Sequence, residues 1–115
     1  MELHKHSEIT TKDDDFFNVI STTDQCQVAL MRLLPDKTSG EYGTDHPQAD
    51  QVLIVMEGRG HAKVEDRTIE LEEGDVLVIK AGEKHQVIAD GATSLRTMNV
   101  YSPAAYPDEG HSKAK

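Results

Sequence analysis

A polar cluster stands directly before the longest apolar run of the sequence. In the stretch "TDHPQADQVLIVMEG", His46 and Gln51 both precede the apolar residues 52–56, and Gln51 is directly adjacent to them. Histidine supplies a neutral acid–base group near physiological pH, and a glutamine side chain both donates and accepts hydrogen bonds. A few such groups above an apolar floor are typical of a small-molecule pocket. The sequence therefore predicts that His46 and Gln51 face a pocket that binds a small polar ligand.

Strand periodicity predicts which neighbours share that pocket. Side chains at positions i and i+2 of a strand lie on the same face. If the chain is extended there, Thr44 points the same way as His46, while Asp45 points away. With Gln51 facing inward, Leu53 faces inward too. The residues predicted to line the pocket, besides the polar ones, are Tyr42, Leu53 and Met98.

Short strands must position these side chains. Stretches rich in β-branched and aliphatic residues alternate with Gly, Pro and Asp every eight to twelve residues, and no helical apolar period exceeds two turns. This rhythm is typical of an all-β sandwich or barrel. The predicted strands cover residues 16–20, 25–34, 50–56, 61–65, 67–71, 76–79, 85–89 and 95–101.

Length and charge limit the class of protein. The 115 residues predict a single domain over residues 1–115, with a barrel core at about 16–101 between polar tails. A net charge of −9 argues against nucleic acid and anionic membrane as partners, because both need clustered cations. The single cysteine, Cys26, requires no oxidising compartment. We expect a cytoplasmic protein without a membrane span.

Two motifs at a characteristic separation resemble those of the cupin superfamily. The first is "TDHPQADQVLIVMEG", in which His46 is followed after four residues by Gln51 and after six more by Gly58. The second is "GDVLVIKAGEKHQVIA", which begins at Gly74 and contains His85. The resemblance covers roughly residues 26–101. It implies an all-β double-stranded β-helix, the jelly-roll or cupin barrel, in a small single-domain member.

The resemblance also implies a metal site. Cupins commonly bind a metal through two histidines and a glutamate of the first motif and one histidine of the second. The corresponding residues here are Thr44, His46, Gln51 and His85. Zn, Fe, Mn or Ni are the candidate ions, since imidazole nitrogen suits these metals. Threonine and glutamine replace stronger ligands, so the predicted site is weakened or vacant.

Three functions follow from these residues. In the first, His46, Gln51 and His85 hold a divalent metal that supports isomerase, lyase or dioxygenase chemistry. In the second, the barrel binds or senses a sugar-like or other small polar molecule without metal or catalysis. In the third, the barrel is a scaffold with a vestigial mouth. The sequence leaves open whether the protein is an enzyme.

The apolar strands predict a partner copy. The runs "VLIVM" and "VLVI" are continuous, whereas a strand with one face in water needs only alternation. A second covering surface is implied, and a homodimer is its simplest source. The resemblance to cupins implies the same.

Overall fold

The fold consists almost entirely of β-strands. The computed structural model describes residues 1–11, 16–106 and 111–112. The elements in chain order are α1 (His6–Thr11), β1 (Phe17–Thr22), β2 (Gln27–Leu33), β3 (Asp50–Glu57), β4 (Arg59–Val64), β5 (Arg67–Glu72), β6 (Val76–Ile79), β7 (His85–Ala89), β8 (Leu95–Ser102) and β9 (His111–Ser112). The all-β prediction is confirmed, and each of the eight predicted strands is present with its ends within two residues.

Two elements were not predicted from the sequence. The short helix α1 and the two-residue strand β9 both belong to the polar tails. The remaining tail residues, 12–15, 107–110 and 113–115, lie outside the described part of the chain. No helix among the described residues has the length and apolar character needed to cross a membrane.

The strands form two antiparallel sheets. Six strands pair in the order β6-β3-β8-β2-β1-β9, and three pair in the order β5-β4-β7. The β3–β4 hairpin connects the two sheets, and its turn contains Gly58 with a φ of 91°. A Cβ at Gly58 would collide with the carbonyl oxygen of Ser94, so both the backbone angle and the space require glycine. This two-sheet antiparallel arrangement is the predicted jelly roll.

The apolar core lies between the sheets and follows strand periodicity. On β3, Gln51, Leu53 and Val55 are buried, as the parity argument predicts. On β8, which pairs with β3, the buried positions are Leu95, Thr97, Asn99 and Tyr101. Because every second residue is buried in both β3 and β8, the inward side chains of these two neighbouring strands lie next to each other in the core.

Part of the outer face of the six-stranded sheet is exposed in the single chain, and its predicted cover by a second copy stays a prediction. In the single chain, Val76 is 62% exposed, Val78 is 54% exposed and Met56 is 39% exposed. Val52 and Ile54 are half-buried. The chain by itself does not cover this part of the face, because the three-stranded sheet packs only against the inner side and α1 lies beside Leu30 and Met98. A continuous apolar run therefore does not mean that both faces are buried within one chain.

Candidate functional site

A cavity of about 280 Å³ opens among side chains of both sheets. The six-stranded sheet contributes from β1, β2, β3 and β8, and β7 contributes from the other sheet. The chain before β3 and the segment after β8 complete the wall. The lining residues are Phe16, Phe17, Met31, Ser39, Asp45, His46, Gln51, His85, Val87, Tyr101 and Tyr106.

Both ring nitrogens of His46 face a protein oxygen within hydrogen-bond distance, and a neutral imidazole has one N–H to donate to one of them. The residue is 6% exposed. Nδ1 lies 3.0 Å from the carbonyl oxygen of Ala49, and Nε2 lies 2.8 Å from Oε1 of Gln51. A turn closed by a 3.1 Å hydrogen bond from Ala49 N to His46 O brings the carbonyl under the ring. The imidazole is therefore fixed in orientation before any ligand enters.

Gln51 begins a chain of buried hydrogen bonds that leads away from the cavity. Its Nε2 donates to Asn99 Oδ1 over 2.8 Å, and Asn99 Nδ2 donates to Thr97 Oγ1 over 2.9 Å. The Thr97 hydroxyl in turn donates to the carbonyl oxygen of Met31 over 3.3 Å. Each buried polar group thus has a partner, which removes the penalty for its burial. The connected network makes the side chain of Gln51 rigid.

His85 is the second histidine of the cavity. Its Nδ1 donates to the carbonyl oxygen of Glu83 over 3.0 Å, so Nε2 is the ring nitrogen left for a ligand. Burial lowers the pKa of His85 below its usual 6.5. At neutral pH the ring is accordingly uncharged. The ring centroids of His85 and His46 are 4.7 Å apart.

An aromatic wall faces the histidines. The ring centroids of Phe17 and Tyr106 are 4.7 Å apart, and those of Tyr101 and Tyr106 are 5.1 Å apart. Tyr101 also meets the ring of His46 edge-on at 5.2 Å. Burial raises the pKa of Tyr106 to about 12 and that of Tyr101 well above its usual 10.0. Both hydroxyls therefore keep their protons at neutral pH.

The side chain of Gln27 holds Tyr106 in this wall. Gln27 is fully buried on β2. Its Oε1 accepts hydrogen bonds from Ala105 N at 3.1 Å and Tyr106 N at 3.0 Å, and its Nε2 donates to Tyr106 O over 2.7 Å. One glutamine amide thereby pairs with the backbone much as a neighbouring strand would. We call residues 103–106, fixed in this way, the C-terminal strap.

The structure brings three of the four proposed metal ligands together. His46, Gln51 and His85 all line the cavity. Thr44 is exposed and is not among the lining residues, whereas Asp45, which was expected to point away, does line it. The parity argument required an extended chain at residues 44–46, and this segment is instead irregular and leads into a turn.

The structure also corrects the predicted pocket lining. Tyr42 lies outside the cavity, where its hydroxyl donates to Asp66 over 3.2 Å and Lys63 Nζ lies 4.7 Å from its ring centroid. Leu53 is buried in the core below the cavity lining, without reaching it. Met98 points to the opposite face of β8 and contacts a separate depression beside α1. The inward positions of β8 are odd-numbered, and Met98 is even-numbered.

Two groups of residues that support the site were missed from the sequence. Asn99 and Thr97 look like solvent-facing residues because they are polar, yet they occupy the same alternate positions of β8 as the buried Leu95 and Tyr101. That alternation was the available signal. Tyr106 gave no such signal, because its position depends on a contact with Gln27, 79 residues earlier in the chain.

The described side chains, as arranged, do not fit a bound metal ion. Both nitrogens of His46 face protein oxygens within hydrogen-bond distance, so neither is directed at an open coordination position in the cavity. The amide oxygen of Gln51 faces His46, and Thr44 lies outside the cavity. Among the residues that the structure describes, no group of three or more His, Cys, Asp or Glu could hold a metal ion. Metal binding here would first have to break the bond between His46 and Gln51.

The arrangement is suited to binding by hydrogen bonds and ring contacts. The uncharged Nε2 of His85 accepts a hydrogen bond, and the Tyr101 and Tyr106 hydroxyls offer polar contacts on an otherwise apolar wall. The fixed rings pre-organise the cavity, which reduces the entropy lost on binding.

Comparisons with known proteins agree with this architecture. The model of the Cupin domain family matches residues 29–101. Uncharacterized protein L612 of Acanthamoeba polyphaga mimivirus is 36% identical over 104 residues, which cover 87% of this chain and 64% of that protein. Uncharacterized protein YrkC of Bacillus subtilis (strain 168) is 30% identical over 105 residues, which cover 85% of this chain and 55% of that protein. The chain thus spans less than two thirds of either relative.

A solved structure is similar over nearly the whole chain. The crystal structure of BH2720 from Bacillus halodurans has a TM-score of 0.84 and 28% sequence identity, and the alignment covers 98% of this chain and 89% of that one.

Proposed function

The chain belongs to the cupin domain family, and we propose that it is a small-molecule-binding barrel whose cavity works without a metal ion. One observation supports this proposal: both ring nitrogens of His46 face protein oxygens, Ala49 O at 3.0 Å and Gln51 Oε1 at 2.8 Å, so neither nitrogen is directed at an open coordination position. Replacing a carboxylate by the Gln51 amide removes a negative charge that would attract a dication, and supplies an NH₂ group that the Asn99 network needs instead. The substitution therefore suits hydrogen bonding better than metal coordination.

Three groups would bind the ligand in this proposal. Nε2 of His85 accepts a hydrogen bond, while Tyr101 and Tyr106 supply hydroxyls and ring surfaces. The bonded pair of His46 and Gln51 forms a rigid polar floor. A cavity of about 280 Å³ limits the ligand to a small molecule.

A metal-assisted enzyme is the second candidate. Its support is the 4.7 Å separation between the ring centroids of His46 and His85, which places two imidazoles side by side. In that case Zn, Fe, Mn or Ni would bind the two histidines and Gln51, and the reaction class would be that of an isomerase, lyase or dioxygenase.

Elemental analysis separates the two candidates. Untagged wild-type protein is compared with His46→Ala and His85→Ala, before and after incubation with each of the four metals. We expect well below one metal per chain in all three proteins. Nearly one metal per chain in the wild type, lost in both variants, would instead establish the metal site and reject the metal-free proposal.

We also propose that two copies associate through the outer face of the six-stranded sheet. Val76, Val78 and Met56 form an exposed apolar patch there, next to the half-buried Val52 and Ile54. Strand β6 is at the end of the described sheet order, so this patch reaches a free edge. A second copy is the favoured occupant because the residues of the patch carry no charge, so two chains of net charge −9 would meet there with little charge repulsion.

A further inference from the structure

The described residues that line the cavity include no Lys or Arg, and Asp45 is the one acidic residue among them. A carboxylate or phosphate ligand would therefore leave water without gaining a counter-ion, at a high cost in desolvation free energy. The site as built selects against anions.

The charge that reaches the cavity is negative. Asp45 is exposed and lines the same cavity as Tyr101 and Tyr106. Its field therefore extends over the aromatic wall. The whole chain has a net charge of −9, which makes the electrostatic potential at the cavity more negative.

The wall opposite the histidines is built of π surfaces. The rings of Phe16, Phe17, Tyr101 and Tyr106 all line the cavity. Neighbouring ring centroids among them lie 4.7–6.4 Å apart. The face of an aromatic ring attracts a cation through its quadrupole, and several rings around one carboxylate attract an alkylammonium group better than a neutral group of equal shape.

We propose that the cavity binds a small organic cation of the alkylammonium class, held between the aromatic wall and Asp45. This inference rests on the proposed function, and it adds the chemical class of the ligand. In this arrangement His85 Nε2 accepts a hydrogen bond from a hydroxyl or N–H of the ligand, while the cationic end contacts the rings.

Three probes of matched shape test the ligand class by isothermal titration calorimetry. Choline carries a trimethylammonium group, 3,3-dimethyl-1-butanol replaces its nitrogen by carbon and is neutral, and 3,3-dimethylbutanoate has the same hydrocarbon end with a carboxylate. We expect choline to bind roughly tenfold more tightly than the neutral alcohol, and the carboxylate to bind more weakly than either. Tyrosine fluorescence gives a second readout, since the chain has three tyrosines and no tryptophan.

A charge variant locates the effect. Asp45→Asn should weaken choline binding several-fold and leave binding of the neutral alcohol unchanged, whereas Glu73→Gln makes the same change of net charge outside the cavity and should alter neither. Asp45 and Glu73 are both exposed, so neither change should disturb the core. Equal effects of the two variants would contradict the role of Asp45.

The outcomes separate the ligand class from the binding function. If the neutral alcohol or the carboxylate binds as tightly as choline or more tightly, the cation proposal is rejected and the binding barrel stands. If none of the three probes binds, the cation proposal is rejected, and the metal-free binding barrel is judged separately by the elemental analysis.

Discussion

Gln51 Oε1 lies 2.8 Å from Nε2 of His46, and the Nε2 of the same Gln51 donates to Asn99 over 2.8 Å. One amide thus joins a loop histidine before β3 to the centre of β8. Where the resemblance to cupins implies a ligand for a metal, this chain has the middle link of a buried hydrogen-bond chain. The stability of the cavity floor therefore depends on Gln51, which stands at a position where the resemblance implies a metal ligand.

Removing this link should destabilise the fold. In Gln51→Leu, Asn99 Oδ1 and His46 Nε2 lose their partner while remaining buried, and each unsatisfied group costs about 1–3 kcal/mol. Urea unfolding followed by circular dichroism measures the loss. The control Gln48→Leu removes an exposed glutamine amide and should change the free energy of unfolding by less than about 0.5 kcal/mol. Equal stability of the two variants would show that the network contributes nothing.

Gln27→Ala should release the C-terminal strap. The change removes the hydrogen bonds to Ala105 N, Tyr106 N and Tyr106 O. We expect faster amide hydrogen exchange at residues 105 and 106, and a loss of about 1–3 kcal/mol in unfolding free energy. The neighbouring Gln25→Ala alters an exposed side chain and serves as the control. Unchanged exchange in the Gln27 variant would mean that ring packing alone holds Tyr106.

Acid should weaken the fold through His85. Burial sets the pKa of the His85 ring below 6.5 in the folded protein, whereas the unfolded chain keeps the usual value of 6.5. Between the folded and the unfolded pKa, the unfolded chain binds more protons. Stability from this group is complete above pH 6.5 and is lost as the pH falls through the folded pKa. Unfolding free energy measured against pH should show a shallower acid slope in His85→Gln, whereas the tail variant His4→Gln should keep the slope of the wild type. An NMR titration with a pKa above 6.5 would contradict this expectation.

A lysine on the outer sheet face should prevent association of two copies. Val78 is 54% exposed in the single chain, so Val78→Lys leaves the monomer intact and places a charge in the proposed interface. Static light scattering at micromolar concentration should give a dimer mass for the wild type and a monomer mass for this variant. Thr68→Lys adds the same charge to the exposed face of β5 and should remain dimeric. A monomeric wild type would reject the proposed dimer.

Local patterns were sufficient to predict most of the fold. Alternation of residue types located all eight predicted strands, and it correctly oriented Gln51, Leu53 and Val55 toward the core. The two motifs brought His46, Gln51 and His85 to one cavity because each motif fixes a strand and its turn. The same rule failed for Thr44 and Asp45, since parity holds only where the chain is extended.

The sequence by itself determined the class of fold, the strand boundaries and the histidine–glutamine centre of the site, because these depend on spacing along short segments. Only the tertiary structure decided which groups pair with them. The bond from Gln51 to Asn99 spans 48 residues and the bond from Gln27 to Tyr106 spans 79. Such contacts depend on how strands are ordered in the sheets, and that order has no local signal. For this reason the use of Gln51 as a hydrogen-bond link, and the presence of an aromatic wall, became visible only in the folded chain.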